Sequence, residues 1–230
     1  MAIQCIIGTM MTKTKIKLSR NTLSVFKNFA SINSNLLIKP GNMIKTIAPS
    51  QCLLAEAKVE EDFPVEVAIW DLGQFLGVVS LFDEPEFEFN DSYVSIQSNN
   101  SSVKYFYASA SLLTVPKKNL SVPKFTQEFE LTHSTFSELT KAASVLQVSD
   151  VEIKGENGVI SMTVSKKNDP SSNSYSVEVG ECNDDFSYGL DMGNLKLLHG
   201  DYTVSLSDSI VSKFSHSSIG LNYYIAVEKN

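Results

Sequence analysis

The chain has 230 residues, 43% hydrophobic and 20% charged, enough for two domains of ordinary size with a core in each, which excludes disorder along its whole length. Its 26 acidic and 19 basic residues leave a net charge of −7, which excludes a general surface that coats nucleic acid or anionic membrane and leaves only a local basic patch for such contacts. The three cysteines, Cys5, Cys52 and Cys182, show no C-x-x-C spacing, so they give neither a disulfide framework nor a thiolate zinc site and fit a reducing compartment.

The apolar run Ile3 to Met11 is short, interrupted by polar residues and followed by Lys13, Lys15 and Lys17, so it reads as neither signal peptide nor membrane span. Residues 1–14 are expected to be an extension without fixed structure, Met10 or Met11 offers an alternative start, and the protein is expected in the cytoplasm. The spacing of Leu23, Phe26, Phe29, Ala30 and Asn33 predicts a helix from about Ser19 to Ser34. Leu36 to Ile38, the turn Pro40-Gly41-Asn42 and Met43 to Ile47 read as strand, turn and strand, with Gln51 to Val59 and Phe63 to Ile69 extending the sheet. A short helix is predicted over Asp71 to Ser80, with Asp71 as N-cap, followed by strands at Glu86 to Phe89, Tyr93 to Gln97 and Val103 to Ala108. Residues 112–124 contain Pro116, Pro123 and several lysines and read as an extended, exposed connector between domains at 15–111 and 125–230.

The second domain repeats the layout. A helix with Phe136, Leu139, Ala143 and Leu146 inward precedes a hairpin over Val151 to Lys154 and Val159 to Val164, turning at Glu156-Asn157-Gly158. Strands follow at Tyr175 to Val179 and Phe186 to Leu190, then a helix from Asp191 to Leu198 stopping at Gly200, then strands at Tyr202 to Leu206, Ser209 to Phe214 and Asn222 to Val227. Two segments return in the same order: Thr22-Leu23-Ser24-Val25-Phe26 through Ser31 as Thr135-Phe136-Ser137-Glu138-Leu139 through Ser144, and Asp71-Leu72-Gly73-Gln74-Phe75 as Asp191-Met192-Gly193-Asn194-Leu195. Such self-similarity marks copies of one structural unit. The fold class is therefore α+β, two similar domains each with antiparallel sheet and two short helices.

Charge is distributed unevenly over this layout. The face of the first helix opposite its apolar side carries Arg20, Ser24, Lys27, Asn28 and Ser31 and no acid. The matching face in the second half offers Ser134, Ser137, Lys141 and Ser144, with Glu138 as exception, and Lys196 and His199 lie on the last short helix. Helix faces that carry basic residues and almost no acid, in a chain whose acid lies on the sheets and loops, make a surface that attracts phosphate from one side only.

Leu18-Ser19-Arg20-Asn21-Thr22, Asn28-Phe29-Ala30-Ser31-Ile32-Asn33-Ser34 and Val67-Ala68-Ile69-Trp70-Asp71-Leu72-Gly73-Gln74-Phe75-Leu76-Gly77 resemble the sliding clamps of T4-like bacteriophages, the processivity factors of their replicative DNA polymerases. Leu146-Gln147, Val159-Ile160, Met192-Gly193-Asn194-Leu195-Lys196 and Asn222-Tyr223-Tyr224-Ile225-Ala226-Val227 carry the resemblance more loosely to nearly the C-terminus. The resemblance implies a ring of three chains with helices lining a hole and sheets outside, encircling duplex DNA without sequence preference and tethering a DNA polymerase, with no catalysis, metal or cofactor. It implies a clamp loader as a further partner, with late-transcription factors as another class. Arg20, Lys27, Lys141 and Lys196 are then expected to face DNA. An apolar connector at a domain junction suits the edge of a peptide groove, and with the family's docking mode this gives Val115, Pro116, Leu120, Val122, Pro123 and Val227 as partner-binding candidates. Tyr105, Phe106 and Tyr107 on one strand, and Tyr175, Val177 and Val179 on another, would otherwise be unprotected edges and are expected to meet between subunits.

Enzyme readings find little support: the chain has no Gly-rich phosphate loop, H-E-x-x-H or G-x-S-x-G, and His133, His199 and His216 stand far apart in sequence. Glu84, Glu86 and Glu88 alternate with Phe87 and Phe89 and read as the solvent face of a strand. The rival from another class is an adhesive or carbohydrate-binding β-protein, suggested by abundant Ser and Asn and the Tyr105-Phe106-Tyr107 cluster; such a protein needs no pair of matched amphipathic helices.

Overall fold

The structure, a computed structural model, describes residues 15–116, 124–207 and 211–229. In chain order the first half runs β1 (Lys15–Ile16), α1 (Arg20–Ile32), β2 (Leu36–Ile38), β3 (Gly41–Ile47), β4 (Leu53–Phe63), β5 (Val67–Ile69), α2 (Leu72–Val79), β6 (Glu86–Phe89), β7 (Tyr93–Ser98) and β8 (Ser101–Phe106). The second runs β9 (Phe125–Leu131), α3 (His133–Leu146), β10 (Asp150–Glu156), β11 (Val159–Ser165), β12 (Tyr175–Glu181), β13 (Phe186–Asp191), a 3-10 turn (Met192–Asn194), β14 (Tyr202–Ser207), β15 (Val211–His216) and β16 (Gly220–Ala226), then β17 (Glu228–Lys229). The order strand, helix, four strands, helical turn, three strands occurs twice, so two similar antiparallel α+β units follow from one repeated pattern.

Three sheets hold these strands, ordered β1-β6-β7-β8, β12-β11-β10-β13-β17 and β5-β2-β3-β4-β16-β15-β14-β9. The longest crosses from one half to the other at the antiparallel β4–β16 pair, with Ala57 opposite Leu221 and Leu53 opposite Ile225. Alternation puts Leu53, Ala55, Ala57, Val59 and Phe63 of β4 into the core. Each long helix covers the sheet of its own half: α1 packs on β3 and β4 and buries Val25, Phe26, Phe29 and Ile32 at spacings of three and four, and α3 packs on β11 and β12 of the second sheet and buries Leu139 and Ala143. Phe26 stacks with Phe63 at a ring separation of 6.3 Å, seating α1 on the end of β4.

Several sequence expectations need correction. The helix expected over Asp191 to Leu198 is a single 3-10 turn, because the Asp191 carboxylate accepts the Gly193 N–H and closes a tight turn, while Gly193 and Asn194 are poor helix formers. The strands expected at Gln51 to Val59 and Phe63 to Ile69 are cut differently: β4 runs on to Phe63, its inward register kept through the buried Glu61. Strand β9 has no counterpart among the expected elements. The connector is not exposed throughout: Leu113 is buried, and Thr114 is pinned by Asn33 Nδ2 at 2.8 Å to its carbonyl and by its N–H to Asn35 Oδ1 at 3.1 Å. Residues 117–123 lie outside the described residues, so the expectations for Leu120, Val122 and Pro123 do too.

Candidate DNA-facing layer, partner cleft and open edges

The two long helices take their end charges from other elements. Ser19 caps α1 by accepting the Thr22 N–H, and the Glu61 carboxylate from β4 accepts both the Ser19 N–H and the Thr22 hydroxyl. Thr132 caps α3 by accepting the Thr135 N–H at 3.1 Å, and Asp201 accepts the His133 N–H at 2.7 Å. An anion at a helix N-terminus complements the exposed amides and the macrodipole. Because strand and loop residues supply it, α1 itself carries no acid, and Arg20, Ser24, Lys27 and Ser31 are exposed on its outer side. On α3, Ser134, Ser137, Lys141 and Ser144 are exposed likewise. Glu138, the acidic exception, accepts the Ser134 hydroxyl at 3.4 Å and the Tyr175 hydroxyl of β12 at 3.3 Å. Lys196 is exposed, but its ammonium donates to the Ser31 carbonyl at the end of α1 at 2.6 Å.

The three histidines, far apart in sequence, converge. The His133 and His199 rings lie 3.6 Å apart, and His216 Nε2 is 3.2 Å from the His199 carbonyl. The Ser218 N–H donates to His216 Nδ1 at 3.1 Å, which places the ring proton on Nε2, facing that carbonyl. No group of three or more metal-ligating side chains occurs among the described residues.

A cavity of about 910 Å³ opens beside the second sheet, lined by Cys52, Asp150, Lys167, Pro170, Leu190 and Val227 among others. Val227, a sequence candidate for partner binding, lines it; Val115 and Pro116 do not. A Lys167–Glu228 ion pair ties β17 beside the opening. The corresponding corner of the first half is filled by the chain: Asn33 and Asn35 hold Thr114 there, and Asn35 Nδ2 also donates to the Trp70 carbonyl at 2.7 Å. Sequence reasoning misses the cavity because its lining comes from five separate segments, of which only Val227 stands out in the chain.

Among the described residues, β8 pairs only with β7, and β12 only with β11. Phe106 is 66% exposed on β8, while Tyr105 turns inward, its ring 5.2 Å from Phe75 and its hydroxyl donating to the Asp71 carbonyl at 3.2 Å. On β12, Tyr175, Val177 and Val179 are half-buried and pack against the core. Lys104 is exposed on β8, and Glu178 and Glu181 on β12. On β6, Glu86 pairs with Lys15 while Phe87 and Phe89 are buried, as the alternation indicates; Glu84, expected on the same strand face, instead precedes β6 with a left-handed backbone (φ 46°) and pairs with Lys17.

Residues 17–114 match the family model described as DNA polymerase processivity factor, and residues 128–229 match that for the C-terminal part of the gp45 sliding clamp. The chain is 31% identical to the sliding clamp of Vibrio phage KVP40 over 93% of its own length and 99% of the relative's, and 30% identical to that of Escherichia phage RB69 over 93% and 97%. In fold it is similar to A. fulgidus PCNA, solved with the C-terminal region of FEN-1, at a TM-score of 0.71 and 11% identity over 94% and 98% of the two chains. PCNA from Thermococcus kodakaraensis gives 0.70 at 12% identity, over 93% and 99%. The adhesive β-protein reading finds no support, and the chain belongs to the sliding clamp family, the DNA polymerase processivity factors of T4-like phages.

Proposed function

We infer that three copies close head to tail into a ring that encircles duplex DNA in the host cytoplasm and tethers the replicative polymerase, with domains at 15–111 and 125–230 joined by the connector at 112–124. The observation that carries this reading is the β4–β16 pair. In the repeated order, β12 occupies the place of β4 and β8 the place of β16. Inside the chain β4 and β16 join; their counterparts β12 and β8 are the open edges. An open edge seeks a partner strand, and two different edges of one chain give a heterologous contact that closes into a ring. Lys104 against Glu178 and Glu181 adds charge complementarity.

Closing the edges in this way puts α1 and α3 of every protomer on one side of the wall, where Arg20, Lys27 and Lys141 meet phosphates. Binding of this kind is non-specific and salt-dependent, which permits sliding. The cavity at Val227 serves as the partner site for an extended peptide of the polymerase, and a clamp loader and late-transcription proteins use the same face. The role requires no catalytic group. The direct experiment compares retention on nicked circular DNA before and after linearisation, following loading: release upon linearisation supports encirclement, and retention on the linear form refutes it.

A further inference from the structure

Lys196 is held in a closed circuit of hydrogen bonds. Its ammonium donates to the Ser31 carbonyl at 2.6 Å, and its own carbonyl accepts Asn28 Nδ2 at 2.9 Å. Asn28 Oδ1 accepts the Tyr223 hydroxyl of β16 at 2.8 Å, and that hydroxyl oxygen accepts the Leu198 N–H at 3.0 Å. The circuit joins the end of α1, in the first half, to the 195–198 segment and β16, in the second. Helix α1 has no basic residue in its last turn. The carbonyls there lack intrahelical donors and carry the negative end of the macrodipole. Lys196 supplies the missing cation from the other half, as Glu61 supplies the missing anion at the opposite end.

The same segment is fixed at its far end. The His199 ring packs at a tilt against His133 in the first turn of α3, and His216 donates to the His199 carbonyl. A Cβ on Gly200 would lie 2.2 Å from His216 Nε2, so only glycine lets the segment pass over that ring. Residues 195–200 thus form a crosspiece between the end of α1 and the start of α3. The geometry points to Lys196 as a positioning residue, a latch that sets α1 against the second half of the chain, and not one of the cations that hold phosphate. Lys27, one turn before Ser31 on the exposed face, remains available to phosphate. The inference rests on the reading that the α1–α3 face lines the hole.

The test uses full-length protein carrying Lys196→Met, Lys196→Arg or Lys27→Met, and three readouts: amide exchange at the end of α1, thermal midpoint, and the slope of log affinity for a fluorescent duplex against log salt. Lys196→Met is expected to speed exchange over residues 29–35 on the order of tenfold and lower the midpoint by roughly 2–4 °C, with the salt slope unchanged. Lys196→Arg should restore native exchange, since a cationic donor is all the site requires. Lys27→Met should lower the slope by about 0.9 for each phosphate no longer neutralised, with native exchange. Native exchange in Lys196→Met overturns the latch, whether or not the slope falls. If Lys27→Met leaves the slope native while Lys196→Met still speeds exchange, the latch stands and the DNA-facing assignment of α1 falls.

Discussion

Leu53 of β4 stands opposite Ile225 of β16, both fully buried, so one continuous sheet passes from the first half of the chain into the second. The junction is the template for the proposed contact between chains, and its counterparts, β8 and β12, define where that contact forms.

Replacing Phe106, exposed on β8, by Asp puts a carboxylate on one of the two open edges without touching the core. Burying this charge at a strand pair costs at least about 2 kcal/mol for a central contact, about 30-fold in association. Sedimentation should show monomers with native circular dichroism. An intact trimer would move the contact away from β8 and β12.

Substituting Glu for Arg20, Lys27 and Lys141 together should leave the thermal midpoint nearly unchanged, because exposed charges contribute little to stability. DNA affinity should fall and the salt slope should flatten, by about 0.9 for every phosphate left without its cation. An unchanged slope would identify these side chains as ordinary solvated surface.

Glu61→Gln removes the anion that α1 borrows from β4. The expected cost is about 1–2 kcal/mol, the range for losing a capping interaction at a helix N-terminus, read from denaturant melts. Native stability in this variant would show that Ser19 alone satisfies the end of α1.

The Tyr224 hydroxyl donates to Glu56 at 3.0 Å, and burial, reinforced by that carboxylate, pushes its pKa up to about 12 from an ordinary value of 10.0. Burial raises Tyr202 and Tyr223 further in the same direction. A raised folded-state value means the folded chain holds protons that the unfolded chain releases, so the contribution is complete below about pH 10 and is lost as pH climbs toward the folded value. Melts between pH 9 and pH 12, roughly the span of these transitions, should show stability falling with pH. Tyr224→Phe should make that fall shallower; an unchanged profile would contradict the assignment.

Ala226 lines the cavity beside Val227, so Ala226→Glu intrudes on it, whereas Leu120→Asp with Val122→Asp alters the connector. Titration of a peptide from the C-terminus of the cognate polymerase separates the two sites. The cavity variant should lose at least about 2 kcal/mol of affinity, the scale of a hot spot. Loss confined to the connector variant would return the docking site to residues 115–123.

Much of this organisation is legible in the chain. Helix α1 shows itself by Phe26 and Phe29 at helical spacing and β6 by the alternation of Phe87 and Phe89, since periodicity follows from which face is buried. The end of β4 is hidden, because Glu60, Glu61 and Asp62 look like a solvated run, while Glu61 is in fact buried to cap α1. The 3-10 turn at Met192–Asn194 reads as a helix because Asp191 imitates Asp71 in sequence but not in the helix it starts. The histidine cluster, the cavity and the Lys196 circuit depend on pairings between distant segments that no local pattern records.

The central claim is a closed ring built through the β8 and β12 edges, and the particle mass in solution, measured with a low-resolution scattering envelope, tests it most directly. Three chains of 25.3 kDa predict a particle of about 76 kDa with an open centre. A strictly monomeric or dimeric particle at high concentration, or a trimer with a filled centre, would contradict it.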